Sequence, residues 1–185
     1  MVDLSSIQSV YRPGGPIALV AHDSHWAANF ERESAVVRTA LGDILVTLHH
    51  IGSTAIPGIV AKPVIDMLAV VTDVTTLDRR APLLEEVRYE ALGEFGILGR
   101  RYFRKDSAEG VRTHQMHAFA VGSPEIDRHL VFRDYMRAHQ TEAEQYAELK
   151  QELARRFPTN MDAYTEGKTE FIREIERRAA TWRTE

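Results

Sequence analysis

The chain has 185 residues and a formal net charge of −4, long enough to bury the core of one domain and of the wrong sign to be steered toward nucleic acid over long range. It contains no cysteine, which excludes disulfides, thiolate nucleophiles and cysteine-ligated zinc together. At 44% hydrophobic and 27% charged residues the composition is that of a globular domain. No apolar run approaches the roughly 20 residues of a membrane span, and the polar Met1–Arg12 segment lacks a signal-peptide core, so a cytoplasmic protein without a membrane partner is expected.

In chain order, Pro13-Gly14-Gly15-Pro16 breaks the chain, and Ile17 to Ala21 reads as a short edge strand or an extended lead-in. Asp23 or Ser24 caps a helix whose apolar face is Trp26, Phe30, Val37 and Leu41, and Gly42-Asp43 ends it. Leu45 to Ile51, rich in branched apolar residues, predicts a strand. Gly52 to Pro63 is punctuated by glycine and proline. Val64 to Val71 is apolar except for Asp66 and reads as a buried strand. A helix is predicted over Leu77 to Ala91, and Gly93, Gly96 and Gly99 mark loops. Arg101 to Phe103 and Arg112 to Val121 predict a hairpin around Arg104 to Gly110.

Beyond the break at Gly122-Ser123-Pro124 the pattern is helical. A helix from about Ile126 carries His129, Phe132 and Met136 on one stripe. A second starts at Gln140-Thr141, with Glu144 placed for a capping box and Tyr146, Leu149 and Leu153 as its apolar stripe. Phe157-Pro158 breaks it, and Thr159 caps a last helix holding Tyr164, Phe171 and Ile175. No flexible linker separates the two halves. The expectation is one domain over 1–185, with a mixed α/β part at about 17–122 and a helical tail at about 124–183.

Chemistry concentrates between His50 and Asp66. A glycine directly after an apolar strand lets the backbone turn sharply and approach a ligand. Ser53, Thr54 and the N–H groups after Gly52 can then face a phosphate. A carboxylate inside an apolar strand is costly unless paired, hydrogen-bonded or metal-bound, which singles out Asp66. Cations are also concentrated: Lys62, Arg100, Arg101, Arg104, Lys105 and Arg112 are expected around this site, and Lys168 comes from the tail. Such cations can clamp a triphosphate and offset transition-state charge. His114 and His117, three apart on one strand, face opposite sides. His117 is the candidate base or metal ligand near Asp66.

The run His50-Ile51-Gly52-Ser53-Thr54-Ala55-Ile56-Pro57-Gly58-Ile59-Val60-Ala61-Lys62-Pro63-Val64-Ile65-Asp66 resembles the signature of the GrpB family, which is also found fused behind dephospho-CoA kinase. Asp23 to Phe30, Arg101 to Lys105, Arg112 to His117, His129 to His139 and Tyr164 to Lys168 agree with it. The resemblance implies an α+β nucleotidyltransferase-like fold, a mixed sheet packed with helices and followed by a helical C-terminal part. In that superfamily a Gly-Ser turn precedes a strand with two alternating acids that hold divalent metal. Asp66 matches the first acid, but Leu68 stands at the second, on the same strand face, where a methyl group replaces a ligand. Single-acid members such as the (p)ppGpp synthetases still catalyse transfer with a carboxylate from another strand. The signature includes His50, which adds a second candidate metal ligand.

The leading expectation is therefore nucleotidyl transfer from a nucleoside triphosphate to an acceptor that the sequence does not name. Gly52, Ser53, Thr54, Lys62, Arg101, Arg104, Lys105 and Lys168 would bind the phosphates, and Asp66 would help to hold Mg²⁺ with His117. Attack at the β-phosphorus, giving pyrophosphoryl transfer, is a variant. The rival class is a non-catalytic nucleotide-binding or folding-accessory module, for which Leu68 is the sequence support. A third reading, a metal hydrolase, needs His50, Asp66 and His117 to converge.

Overall fold

A computed structural model describes residues 15–183; the Met1–Arg12 segment and Pro13-Gly14 of the first break lie outside them. The lead-in is extended and forms a single antiparallel bridge, Val20 to Ala61. Helix α1 (His25–Leu41) buries Trp26, Phe30, Val37 and Leu41, one stripe at helical spacing, and Asp23 accepts the His25 N–H at 2.9 Å. Strand β1 (Leu45–Ile51), strand β2 (Ile65–Val71) and strand β5 (Arg112–Ala120) fall within a residue of their expected bounds. Strand β4 (Arg101–Asp106) instead runs three residues past the expected Phe103 into the segment read as the turn, because Arg104 and Lys105 pair with β5.

The segment 77–91 divides where one helix was expected. Helix α2 spans Val74–Glu86 and starts earlier because Asp73 accepts the Thr75 and Thr76 N–H groups at 3.2 and 2.7 Å. Arg88 then takes a left-handed conformation at φ 74°, and Tyr89–Ala91 forms the short strand β3. Tyr89 is buried in this strand, while Val87 and Ala91 keep the helical spacing of Leu77 and Leu84, so the hydrophobic pattern reads equally as more helix.

The sheet order is β1-β2-β5-β4-β3. β2 and β5 pair in parallel, and the other three pairings are antiparallel. One face carries Met67, Ala69, Phe103, Met116 and Ala118 in a core with α1 and α2. The other face carries Ile51, Leu68 and Phe119, packed with Ile97, Ile126 and Leu130.

Helix α3 (Pro124–Ala138) begins with Ser123 accepting the Glu125 N–H, two residues before the expected start. Helix α4 (Gln140–Arg156) has no side-chain cap on its first turn. The expected capping box does not form; Glu144 instead accepts from the Gln140 amide at 3.1 Å. The last segment is two helices, α5 (Met161–Glu166) and α6 (Thr169–Trp182). Asn160 rather than Thr159 caps α5, accepting the Ala163 N–H at 3.0 Å. Gly167 joins them because a Cβ there would lie 2.5 Å from the Leu153 Cδ2 of α4. No helix of the described residues is long and apolar enough to cross a membrane.

Candidate functional site

Asp66 and Ser53 line one cavity of about 490 Å³ between the sheet and the helical tail. Gly52 takes φ 69°, and a Cβ there would lie 2.9 Å from the Asp66 Cγ and closer still to Oδ2. Only glycine both adopts this backbone and leaves room for the carboxylate, so the turn and the acid are built against each other. Asp66 pairs across the sheet with Ile51 and Gln115, which puts its side chain on the α3 side. Desolvation raises its pKa to about 6, held from rising further by Lys62, Lys168 and Lys150.

These three lysines line the cavity from three separate elements: the loop before β2, helix α4 and the α5–α6 junction. Lys150 is 2% exposed. Its Nζ donates to Ser53 Oγ at 3.0 Å and to the Val60 carbonyl. Burial, with Lys168 and Lys62 nearby, lowers its pKa to about 7. Lys168 is lowered to about 8 and Lys62 is lowered as well, both mainly by burial. Tyrosine rings support all three ammonium groups. Lys168 sits 4.5 Å and Lys62 5.9 Å from the Tyr164 centroid, and Lys150 sits 4.8 Å from that of Tyr146. Cation–π contact holds a cation without cancelling its formal charge. At the rim Phe95 stacks on Tyr102 at 5.1 Å, and both rings line the cavity with exposed Asp162.

Of the residues singled out from sequence, Gly52, Ser53, Thr54, Lys62, Asp66 and Lys168 meet here. Thr54 is engaged from behind: its hydroxyl lies 2.9 Å from His50 Nε2 and 3.4 Å from the Val64 carbonyl that it donates to. His50 pairs with Met67, so its ring is on the opposite sheet face, stacked on Phe30 at 5.0 Å. It anchors the turn through Thr54 and does not reach Asp66. The convergence of His50, Asp66 and His117 that a metal hydrolase needs is therefore not formed.

His117 shares the Asp66 face and lines an adjoining cavity of about 210 Å³ with Asp66, Arg128 and His129. Its Nδ1 lies 3.2 Å from Arg100 Nη1. Burial, with His129 and the guanidinium groups nearby, lowers its pKa to about 3, which keeps it neutral and a weak base. His114 faces the other way, as its spacing predicts, beside Glu33 at 4.0 Å.

The basic run of β4 does not converge on the turn. Arg101 faces α2 and holds Asp78 through two bonds of 2.5 and 2.7 Å. Lys105 binds Glu33 at 2.8 Å on the same side. Arg104 stands on the Asp66 face, in register with Gln115, but is bonded to Glu90 of the neighbouring strand. Strand alternation divides these residues between two faces, and β5 separates β4 from β2. Arg112, grouped with them in sequence, is bonded to Asp106.

Lys150 went unmarked in the sequence although a signal was present. Ala143, Tyr146, Lys150 and Leu153 are the buried residues of α4, so a lysine lies in phase with an apolar stripe. Among the described residues no group of three or more His, Asp or Glu side chains converges to hold a metal ion. One carboxylate facing three ammonium groups does not make the oxygen-rich donor set that a hard dication takes. Leu68, at the position of a second acid, has no exposed surface.

A mixed five-stranded sheet flanked by helices, with a Gly-Ser turn against the acid-bearing strand, defines a nucleotidyltransferase-like α+β fold. Terminal uridylyl transferase 4 from Trypanosoma brucei, solved with bound dUTP, shares that fold at a TM-score of 0.52 and 12% identity, over 80% of this chain and 52% of that one. The model of the GrpB protein family matches residues 16–178, and the chain belongs to that family. The crystal structure of conserved protein GrpB from Enterococcus faecalis aligns at a TM-score of 0.86 and 36% identity, over 91% of this chain and 100% of that one. The UPF0157 protein YqkA of Bacillus subtilis (strain 168) is 38% identical over 180 residues, 97% of this chain and 52% of that protein, so the chain spans about half of YqkA. It also matches 47% of a dephospho-CoA kinase of Mycolicibacterium paratuberculosis, at 28% identity over 192 residues and 90% of this chain.

Proposed function

We propose that the Asp66 cavity binds a nucleoside triphosphate and that the chain transfers its nucleotidyl group to an acceptor hydroxyl or amine. The observation that carries this reading is the convergence of Lys62, Lys150 and Lys168 with Ser53 on one acid. Three cations held in a partly desolvated cavity suit a polyphosphate, because Coulomb attraction is stronger there than in water. The Phe95–Tyr102 pair offers a stacking surface for a base. The acceptor oxygen or nitrogen would form a bond to the α-phosphorus, and the bond from that phosphorus to the bridging oxygen would break. The acceptor's proton would pass to Asp66, whose raised pKa suits a base near neutral pH. Pyrophosphate would leave against the lysines.

The fold implies magnesium, but the donor set around Asp66 does not fit it, and no step is assigned to a metal. A second reading, nucleotide binding without turnover, is favoured by Leu68, which is sealed between Ile51 and Phe119. Two measurements test the proposal. Calorimetric titration with each nucleoside triphosphate should give saturable binding, and none at millimolar concentration overturns it. Incubation with an α-labelled nucleotide and cell extract should label an acceptor. Binding without labelling would leave the non-catalytic module as the function.

A further inference from the structure

The triphosphate reading leaves open how the ligand's charge is neutralised, and the cavity answers it in a way the fold alone does not suggest. A dication on Asp66 would sit among three ammonium groups, and like charges in a cavity of lowered dielectric repel strongly. The position beside Asp66 that would supply a second oxygen ligand is filled by Leu68 in an apolar cluster. The side chain in register with Leu68 on the next strand is His117, itself in contact with the Arg100 guanidinium. The acid is thus bordered by cations, hydrocarbon and the neutral side chains of Gln115 and Ser53, with no second carboxylate in register beside it. The lysines, in turn, are held by Tyr146 and Tyr164 and, at Lys150, by the neutral acceptors Ser53 Oγ and Val60 O. These supports fix the Lys150 and Lys168 ammonium groups in place without cancelling their charge.

We infer that the cavity binds the polyphosphate as the free anion, with Lys62, Lys150 and Lys168 standing where a divalent ion would otherwise act, so that magnesium competes with the protein for the ligand. This rests on the triphosphate reading of the same cavity. Asp66 then opposes the ligand's charge instead of recruiting a metal to it, and its removal acts in the opposite direction from the loss of a metal-binding acid.

The test is calorimetric titration with ATP, and separately with inorganic triphosphate, each in EDTA and in excess Mg²⁺. ATP in EDTA should bind at least as tightly as with Mg²⁺, and about tenfold more tightly if the full charge difference is felt. Asp66→Asn, checked for folding by thermal melting, should tighten ATP binding several-fold in EDTA. ATP binding that requires Mg²⁺, or that Asp66→Asn abolishes in a folded protein, overturns the inference and leaves the triphosphate reading standing. Inorganic triphosphate bound in EDTA with no ATP bound supports the free-anion inference and removes the nucleotide. Binding in no arm overturns both.

Discussion

Strand β4 and the Asp66 cavity hold similar numbers of cations and use them differently. On β4 each has its own carboxylate: Arg101 with Asp78, Arg104 with Glu90 and Lys105 with Glu33. In the cavity Lys62, Lys150 and Lys168 face the single half-buried acid Asp66, with Asp162 exposed at the rim. Clustering in sequence therefore says little about anion binding. What matters is the charge balance after the chain has folded, and that balance is set by residues as distant as 53 and 150.

The largest effect expected from this contrast is on ligand affinity. Replacing Lys150 and Lys168 together by methionine, which keeps the side-chain length, should reduce triphosphate affinity by a hundredfold or more. Each lost charge-assisted contact accounts for about 1–3 kcal/mol. Calorimetry reads the affinity, and a melting curve confirms that the double variant remains folded. Wild-type affinity in the double variant would reduce the cavity to a structural feature.

An intermediate effect is expected from pH. Lys150 and Lys168 titrate near 7 and 8, and Asp66 near 6. Raising the pH from about 7 to about 9 completes the second half of the Lys150 titration and most of that of Lys168, while Asp66 is already largely ionised. Triphosphate affinity should fall over that window, by about tenfold for each 1.4 kcal/mol lost. The effect on stability has the opposite sign. The folded-state pKa values of both lysines lie below the ordinary value, so in this window the unfolded chain holds more protons and stability rises with pH. Chemical denaturation and calorimetry at the same pH values measure the two trends; parallel trends would contradict the burial of these lysines.

The smallest effect is expected on β4. Arg101→Ala and Lys105→Ala should leave triphosphate affinity within about twofold, because both side chains face α1 and α2. Arg101→Ala should lower stability by about 1 kcal/mol or less, since the Arg101–Asp78 pair is partly exposed to solvent. A tenfold loss of affinity in either variant would mean that β4 contributes to the site after all.

Much of this arrangement was legible before the structure. The Gly52-Ser53 turn and Asp66 are adjacent in function because they are local in sequence, and the family signature ties them together. The α/β half followed by helices was readable from periodicity. Side-chain facing was less so. Arg101 and Arg104 sit in one basic run, but they fall on opposite faces of β4, and His50, inside the signature, points away from Asp66. A lysine in phase with Tyr146 and Leu153 was visible, yet nothing in the chain indicates that it meets Ser53, 97 residues away. The Arg88 turn lacks a glycine, so the boundary between α2 and β3 carries no punctuation.

The most direct test of the central claim is a structure of the protein with a non-hydrolysable nucleoside triphosphate. The account predicts the phosphates in contact with Lys62, Lys150 and Lys168 beside Ser53, and the base toward Phe95 and Tyr102. Phosphates bound at β4, or anywhere that leaves the three lysines without the ligand, would contradict it.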